Sequence, residues 1–153
     1  MANTFTNNLN LPIPGAGDLN WETEYTEFAN AVDDLGSLLC FTLSVHGPAI
    51  DETVFFDGFV PEETIAVRAI GIFSLNPPTG QDLKIDILKN SIAQNNEATL
   101  TDGNQYEKTS LSTKVVFSIS DRLGLKFSQV GSGNPGDKII VTVLFQKEAI
   151  ATI

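Results

Sequence analysis

Cysteine occurs once in the 153 residues, as Cys40, and histidine once, as His46. A single cysteine excludes an internal disulfide framework and a thiolate zinc cluster. It lies in the apolar run LLCFTL, so a buried, inert thiol is expected rather than a nucleophile. His46 stands beside the turn His46-Gly47-Pro48, without a second histidine or a cysteine pair at ligand spacing, and reads as a surface residue. Basic residues are few and late: all nine Lys and Arg fall at or after Arg68, whereas the first 63 residues hold eleven acids. A formal net charge of −10 argues against nucleic-acid binding, which needs clustered cations. An acidic front part either steers towards a basic partner or serves as a solvated face. No apolar run approaches the roughly 18 residues of a membrane span. The start MANTFTNNLN lacks the basic flank and apolar core of a signal peptide, so synthesis in the cytoplasm is expected.

What is present is β-patterned. Hydrophobic residues make up 42% and charged residues 18%, the balance of a folded chain rather than a disordered one. Ten Phe against one Met and one Trp suit a pleated, half-buried surface.

Three segments follow in order. Residues 1–19 read as an extended arm: Pro12 and Pro14 block regular helix, and Leu9, Leu11 and Ile13 alternate on one face. Such an arm is either a loose tail or docks Leu9, Leu11, Pro12, Ile13 and Pro14 in a partner groove. Residues 20–38 read as a short amphipathic helix whose seam is Trp21, Tyr25, Phe28, Val32, Leu35 and Leu39, spaced 4, 3, 4, 3, 4. Asp18 or Asn20 can cap it, but Asp33 and Asp34 oppose the macrodipole at its end, so packing must hold it. The seam either lies across its own sheet or packs at an oligomer axis.

Residues 39–153 read as an antiparallel, jelly-roll-like β-sandwich. Leu39, Phe41, Leu43 and Val45 alternate, and Thr53–Phe56 is short. Ile65–Leu75 is apolar on both faces, with Ile65, Val67 and Ala69 on one and Ala66, Ile70 and Ile72 on the other. That pattern predicts a strand covered on both sides, with Ile70 and Ile72 turned to a second layer. Leu83, Ile85 and Ile87 face inward while Lys84 and Asp86 face water. Ser91–Ser112 is polar and weakly patterned, with short edge strands at most. Val115, Phe117 and Ile119 resume the alternation, then Leu123, Leu125 and Phe127. The loop Gly131–Asp137 has no Lys-Ser/Thr after its glycines, so it is no phosphate cradle and is expected to be flexible. Ile139–Phe145 is the last strand. Seven or eight strands without βαβ alternation give an all-β fold.

No constellation for catalysis emerges. Asp33/Asp34, Asp51/Glu52 and Glu62/Glu63 sit at turns or helix ends as solvated charge. No Ser stands in a nucleophile elbow, and Asp51, Asp102 and Asp137 follow no calcium-loop spacing. A non-enzymatic protein without metal or cofactor is expected. Tyr106 with Phe73 is the one aromatic pair that could suit a sugar.

Two motifs carry a family resemblance. The first comprises Phe56-Asp57-Gly58, Pro61, Ile65, Val67-Arg68-Ala69, Pro78-Thr79-Gly80 and Asp82-Leu83 through Lys89-Asn90. The second comprises Leu123, Leu125, Gln129-Val130-Gly131-Ser132, Pro135-Gly136-Asp137 and Ile139 through Val143. Together they resemble β-sandwich modules of virion proteins from tailed bacteriophages, over roughly residues 40–147. Leu9–Pro14 followed by Trp21 is similar to the N-terminal regions of phage tail-fibre and capsid-accessory proteins, where a histidine-containing segment follows that is missing here. The resemblance implies a structural protein of the virion, made in the host cytoplasm and commonly a homotrimer. A capsid decoration (cement) protein bound to the major capsid protein, or another virion protein, fits one compact domain plus an arm. A tail-fibre, neck or baseplate component that binds a host surface or carbohydrate is the alternative.

Overall fold

The computed structural model describes residues 38–148, together with two short strands, β1 (Thr4–Phe5) and β2 (Pro12–Ile13). The chain divides into two compact units, Met1–Leu38 and Leu39–Ile153. In the first, β1 and β2 pair antiparallel, with Thr4 opposite Ile13 and Phe5 opposite Pro12. The expected helix over residues 20–38 lies outside the described residues, apart from Leu38, which begins a strand.

Eight strands build the second unit. They are β3 (Leu38–Pro48), β4 (Val54–Phe59), β5 (Ile65–Asn76), β6 (Leu83–Lys89), β7 (Ile92–Leu100), β8 (Tyr106–Phe117), β9 (Leu123–Gln129) and β10 (Asp137–Lys147). They form two four-stranded sheets, ordered β3-β10-β5-β8 and β4-β9-β6-β7. The first strand of the eight pairs with the last, the second with the seventh, the third with the sixth and the fourth with the fifth. Successive pairs alternate between the sheets, which is the jelly-roll order.

The inner faces meet in one core. Ile70, Ile72, Phe117, Ile139, Val141 and Val143 come from one sheet, and Leu83, Ile85, Ile87, Leu100, Leu125 and Phe127 from the other. Each such side chain, fully buried, contributes about 1.5–3 kcal/mol relative to exposure. The gap between β3 and β4 is closed by aromatics: the Phe41 ring lies 5.4 Å from Phe56, 5.4 Å from Phe59 and 5.2 Å from Phe145.

Several expectations are corrected. Ile70 and Ile72 do not face away from Ile65 and Val67; all four lie in the same core. Against β10, Arg68 is an extra residue: Val67 pairs with Phe145 and Ala69 with the adjoining Leu144, and this β-bulge reverses which face the following residues address. The stretch Ser91–Ser112 does hold edge strands, since β7 and β8 each end a sheet, but they are long rather than short, β7 spanning 9 residues and β8 spanning 12. Their length is not legible in the polar residues, because cross-strand pairing rather than apolarity sets it. Ile119 does not face the core but lies beyond β8, 64% exposed. Cys40 is exposed rather than buried, since its neighbour Phe41 takes the inward side of β3.

The loop Gly131–Asp137 is a clasp rather than a flexible connection. Thr79 N donates to Asn134 O at 2.9 Å, Gly133 N to Thr79 O at 2.8 Å, and Asn134 N to Thr79 Oγ1 at 2.8 Å. Gln81 Nε2 donates to Val130 O at 2.8 Å, and Gln129 Nε2 to Asp82 O at 2.9 Å. The motifs Pro78-Thr79-Gly80 and Gln129–Asp137, distant in the chain, thus meet at one end of the sandwich.

Candidate interaction surface

The two sheets turn chemically unlike faces outward. On the outer face of β4-β9-β6-β7, register places Lys126 beside Asp86 and Asp86 beside Glu97. Ion pairs join Lys84 to Glu97 at 2.8 Å and Lys126 to Glu52 at 2.6 Å. The hydrogen bond and charge of Glu97 hold the Lys84 ammonium above its ordinary range, and the hydrogen bond from Lys126 to Glu52 does the same for Lys126. This is a solvated, charge-laced surface.

The outer face of β3-β10-β5-β8 is the opposite. Alternation turns Thr42 of β3, Ile140, Thr142 and Leu144 of β10, Ala69, Gly71 and Phe73 of β5, and Tyr106, Lys108 and Ser110 of β8 away from the core. Register sets Ile140, Phe73 and Tyr106 in one row, and Thr142, Gly71 and Lys108 in the next. Thr42 and Thr142 extend that second row, their hydroxyl oxygens 3.2 Å apart. No Asp or Glu stands in this set. Small residues keep the centre flat, and a shallow depression of about 140 Å³ lies over Gly71, lined by Phe73, Tyr106, Lys108, Ile140, Thr142 and Leu144. Towards its edge, the Arg68 guanidinium donates to Gln146 Oε1.

A second concavity, about 370 Å³, opens at the β3–β4 edge among Leu39, Cys40, Phe41, Phe59, Val60, Pro61 and Phe145, with Glu62 and Glu63 at its wall. It is mostly apolar and holds no paired acid and base.

The end opposite the clasp carries a satisfied polar network. Asp121 accepts from Ser118 N at 2.8 Å and from Asn90 Nδ2 at 2.8 Å, and pairs with Lys89 at 2.9 Å. The Ser118 amide first, then Lys89 and Asn90, lower its carboxyl pKa to about 2. Beside it, Arg122 pairs with Asp57 at 2.8 Å. At the clasp end, the Thr101 amide depresses the Glu107 carboxyl. These shifts have structural causes, and among the described residues no group of three or more His, Cys, Asp or Glu is placed to hold a metal ion.

Of the residues singled out in the sequence, Pro12 and Ile13 form β2. Leu9, Leu11, Pro14, Trp21, Tyr25, Phe28, Val32 and Leu35 lie outside the described residues. Leu39 lies in β3, 43% exposed, at the apolar concavity. Phe73 and Tyr106 are directly opposed across β5 and β8. The acid-free face was not anticipated; the signal was the set of small and hydroxyl residues alternating with core positions in β5 and β10.

No family model matches the chain, and no curated protein matches it. Among solved structures it is similar to the coat protein of Tobacco streak virus. A structure of the coat protein dimer shares 12% identity over 77% of this chain and 90% of that one, with a TM-score of 0.36. A second crystal form shares 10% identity over 76% and 91%, with a TM-score of 0.35. Both scores are too low to bear on function.

Proposed function

We propose that this chain is a non-enzymatic structural protein of a tailed-phage virion, a capsid decoration protein whose arm docks on the major capsid protein. The observation that supports this most is the meeting of its two family-like motifs. Pro78-Thr79-Gly80 and Gln129–Asp137 hydrogen-bond in one clasp, as parts of a single folded module would. The module around them is a jelly roll, an architecture used in capsid proteins. Its exposed chemistry is that of surfaces rather than of a reactive site. Copies associate on the head as trimers, and repeated weak arm contacts then add by avidity.

The test is binding to capsids assembled without the protein. The full chain should co-sediment with them, and a chain lacking residues 1–17 should not, while keeping its β-sheet circular dichroism. Retained binding by the shortened chain, or gold label on the tail instead of the head, would overturn the decoration reading. A tail component that binds a host glycan is the second reading, favoured by the opposed Phe73 and Tyr106. It requires hits on a glycan array that vanish with Tyr106→Ala.

A further inference from the structure

We infer that copies of this chain associate through the outer face of the β3-β10-β5-β8 sheet. This rests on the self-association included above but does not depend on head or tail placement. The first argument is charge. A protein of net charge −10 repels its own copies, so a contact is cheapest where both partners present no carboxylate. The outward positions around Thr142 and Gly71 meet that condition. The other sheet does not, because Asp86, Glu97 and Glu52 lie on or beside its outer face.

The second argument is shape. Ala69, Gly71 and Thr142 keep the middle low, whereas Ile140 and Tyr106 stand 39% and 61% exposed beside it. A Cβ on Gly71 would lie 3.7 Å from the Tyr106 ring and hydroxyl, so the depression there exists because that Cβ is missing. It is large enough to take one apolar side chain from a facing sheet. Lys108, exposed on the edge strand β8, lines the rim of the depression.

The third argument is area. Four strands spaced about 4.8 Å apart, over some seven residues of about 3.3 Å, present roughly 450 Å² per copy. Two copies then bury about 900 Å² in total, just under the roughly 1,000 Å² of a stable specific interface and in the range of weak, transient ones. The association should therefore be concentration-dependent and micromolar or weaker in solution, becoming complete where a particle surface gathers copies. The same face is covered whether two or three copies converge.

Sedimentation equilibrium of the full chain, without capsids, tests this. The wild-type mass should rise with concentration. Thr142→Glu and Tyr106→Ala should each weaken association by about tenfold or more, while Lys84→Ala on the other sheet leaves it unchanged. Tyr106→Ala is the deciding variant if Thr142→Glu impairs folding, because the Tyr106 side chain is already mostly outside the fold. A monomeric wild type up to about 1 mM, or variants that associate like wild type, would overturn the inference. Because no capsid is present, failure here leaves the arm-docking reading standing.

Discussion

Val67 and Ile70 are three residues apart in one strand and point into the same core. In a regular strand, residues separated by an odd number lie on opposite faces. Arg68 absorbs the difference by bulging out of register, where its guanidinium finds Gln146. The bulge turns Ile70 and Ile72 inward and leaves Ala66, Ala69 and Gly71 on the other side, which is how that side becomes flat.

Ile70 is therefore a core residue before it is anything else. Ile70→Ala should cost about 2–4 kcal/mol by urea denaturation, through lost burial and a residual cavity. Ile70→Asp should abolish folding outright, not merely assembly. A folded Ile70→Asp chain with an altered oligomer would contradict this.

The clasp makes a sharp prediction about glycine. A Cβ on Gly131 would overlap the Asn134 carbonyl oxygen and approach Thr79 N to 2.8 Å, both backbone atoms. Gly131→Ala should cost about 3 kcal/mol, the upper end for overpacking, since neither neighbour can move without breaking the clasp. Gly58 has nothing within 4 Å of its would-be Cβ. Gly58→Ala should be neutral or stabilise by up to about 1 kcal/mol, by restricting the unfolded chain. Paired urea titrations compare the two.

Acid should loosen the end that Asp121 organises. Its folded pKa of about 2 lies below the ordinary 3.8, so its ionised form is favoured by folding. That contribution is fully present above the ordinary value and is lost as pH falls through about 2. Asp121→Asn should lower stability at neutral pH and flatten the urea midpoint across that window. A variant whose profile parallels wild type there would refute the assignment.

Charge on the solvated sheet should matter little. Lys84→Ala and Lys126→Ala each remove a surface ion pair and should leave the urea midpoint close to that of the wild type, because solvent screens exposed pairs. The midpoint difference should shrink further in 1 M salt, where screening acts within about 3 Å.

Phe41 should matter more than its partial burial suggests. It bridges Phe56 and Phe59 of β4 to Phe145 of β10. Phe41→Ala should cost about 2–3 kcal/mol, below a fully buried phenylalanine, and enlarge the neighbouring concavity. Increased binding of a hydrophobic dye would report the opening.

By itself, the sequence determined the all-β class of the sandwich and the inward positions of β6, β9 and β10. Those follow from period-2 alternation and residue type, which are local. Leu83, Ile85 and Ile87 alternate with polar neighbours, and no other arrangement buries them. The tertiary structure alone decided the rest. Which residues follow the bulge inward, and so which side of β5 is flat, depends on β8 and β10, whose registers lie far along the chain. The polar β7 and first half of β8 became long strands because partners supply their hydrogen bonds, a property invisible in their own residues. The clasp between Thr79 and Asn134 and the acid-free face likewise exist only once the strand order brings β3, β10, β5 and β8 side by side.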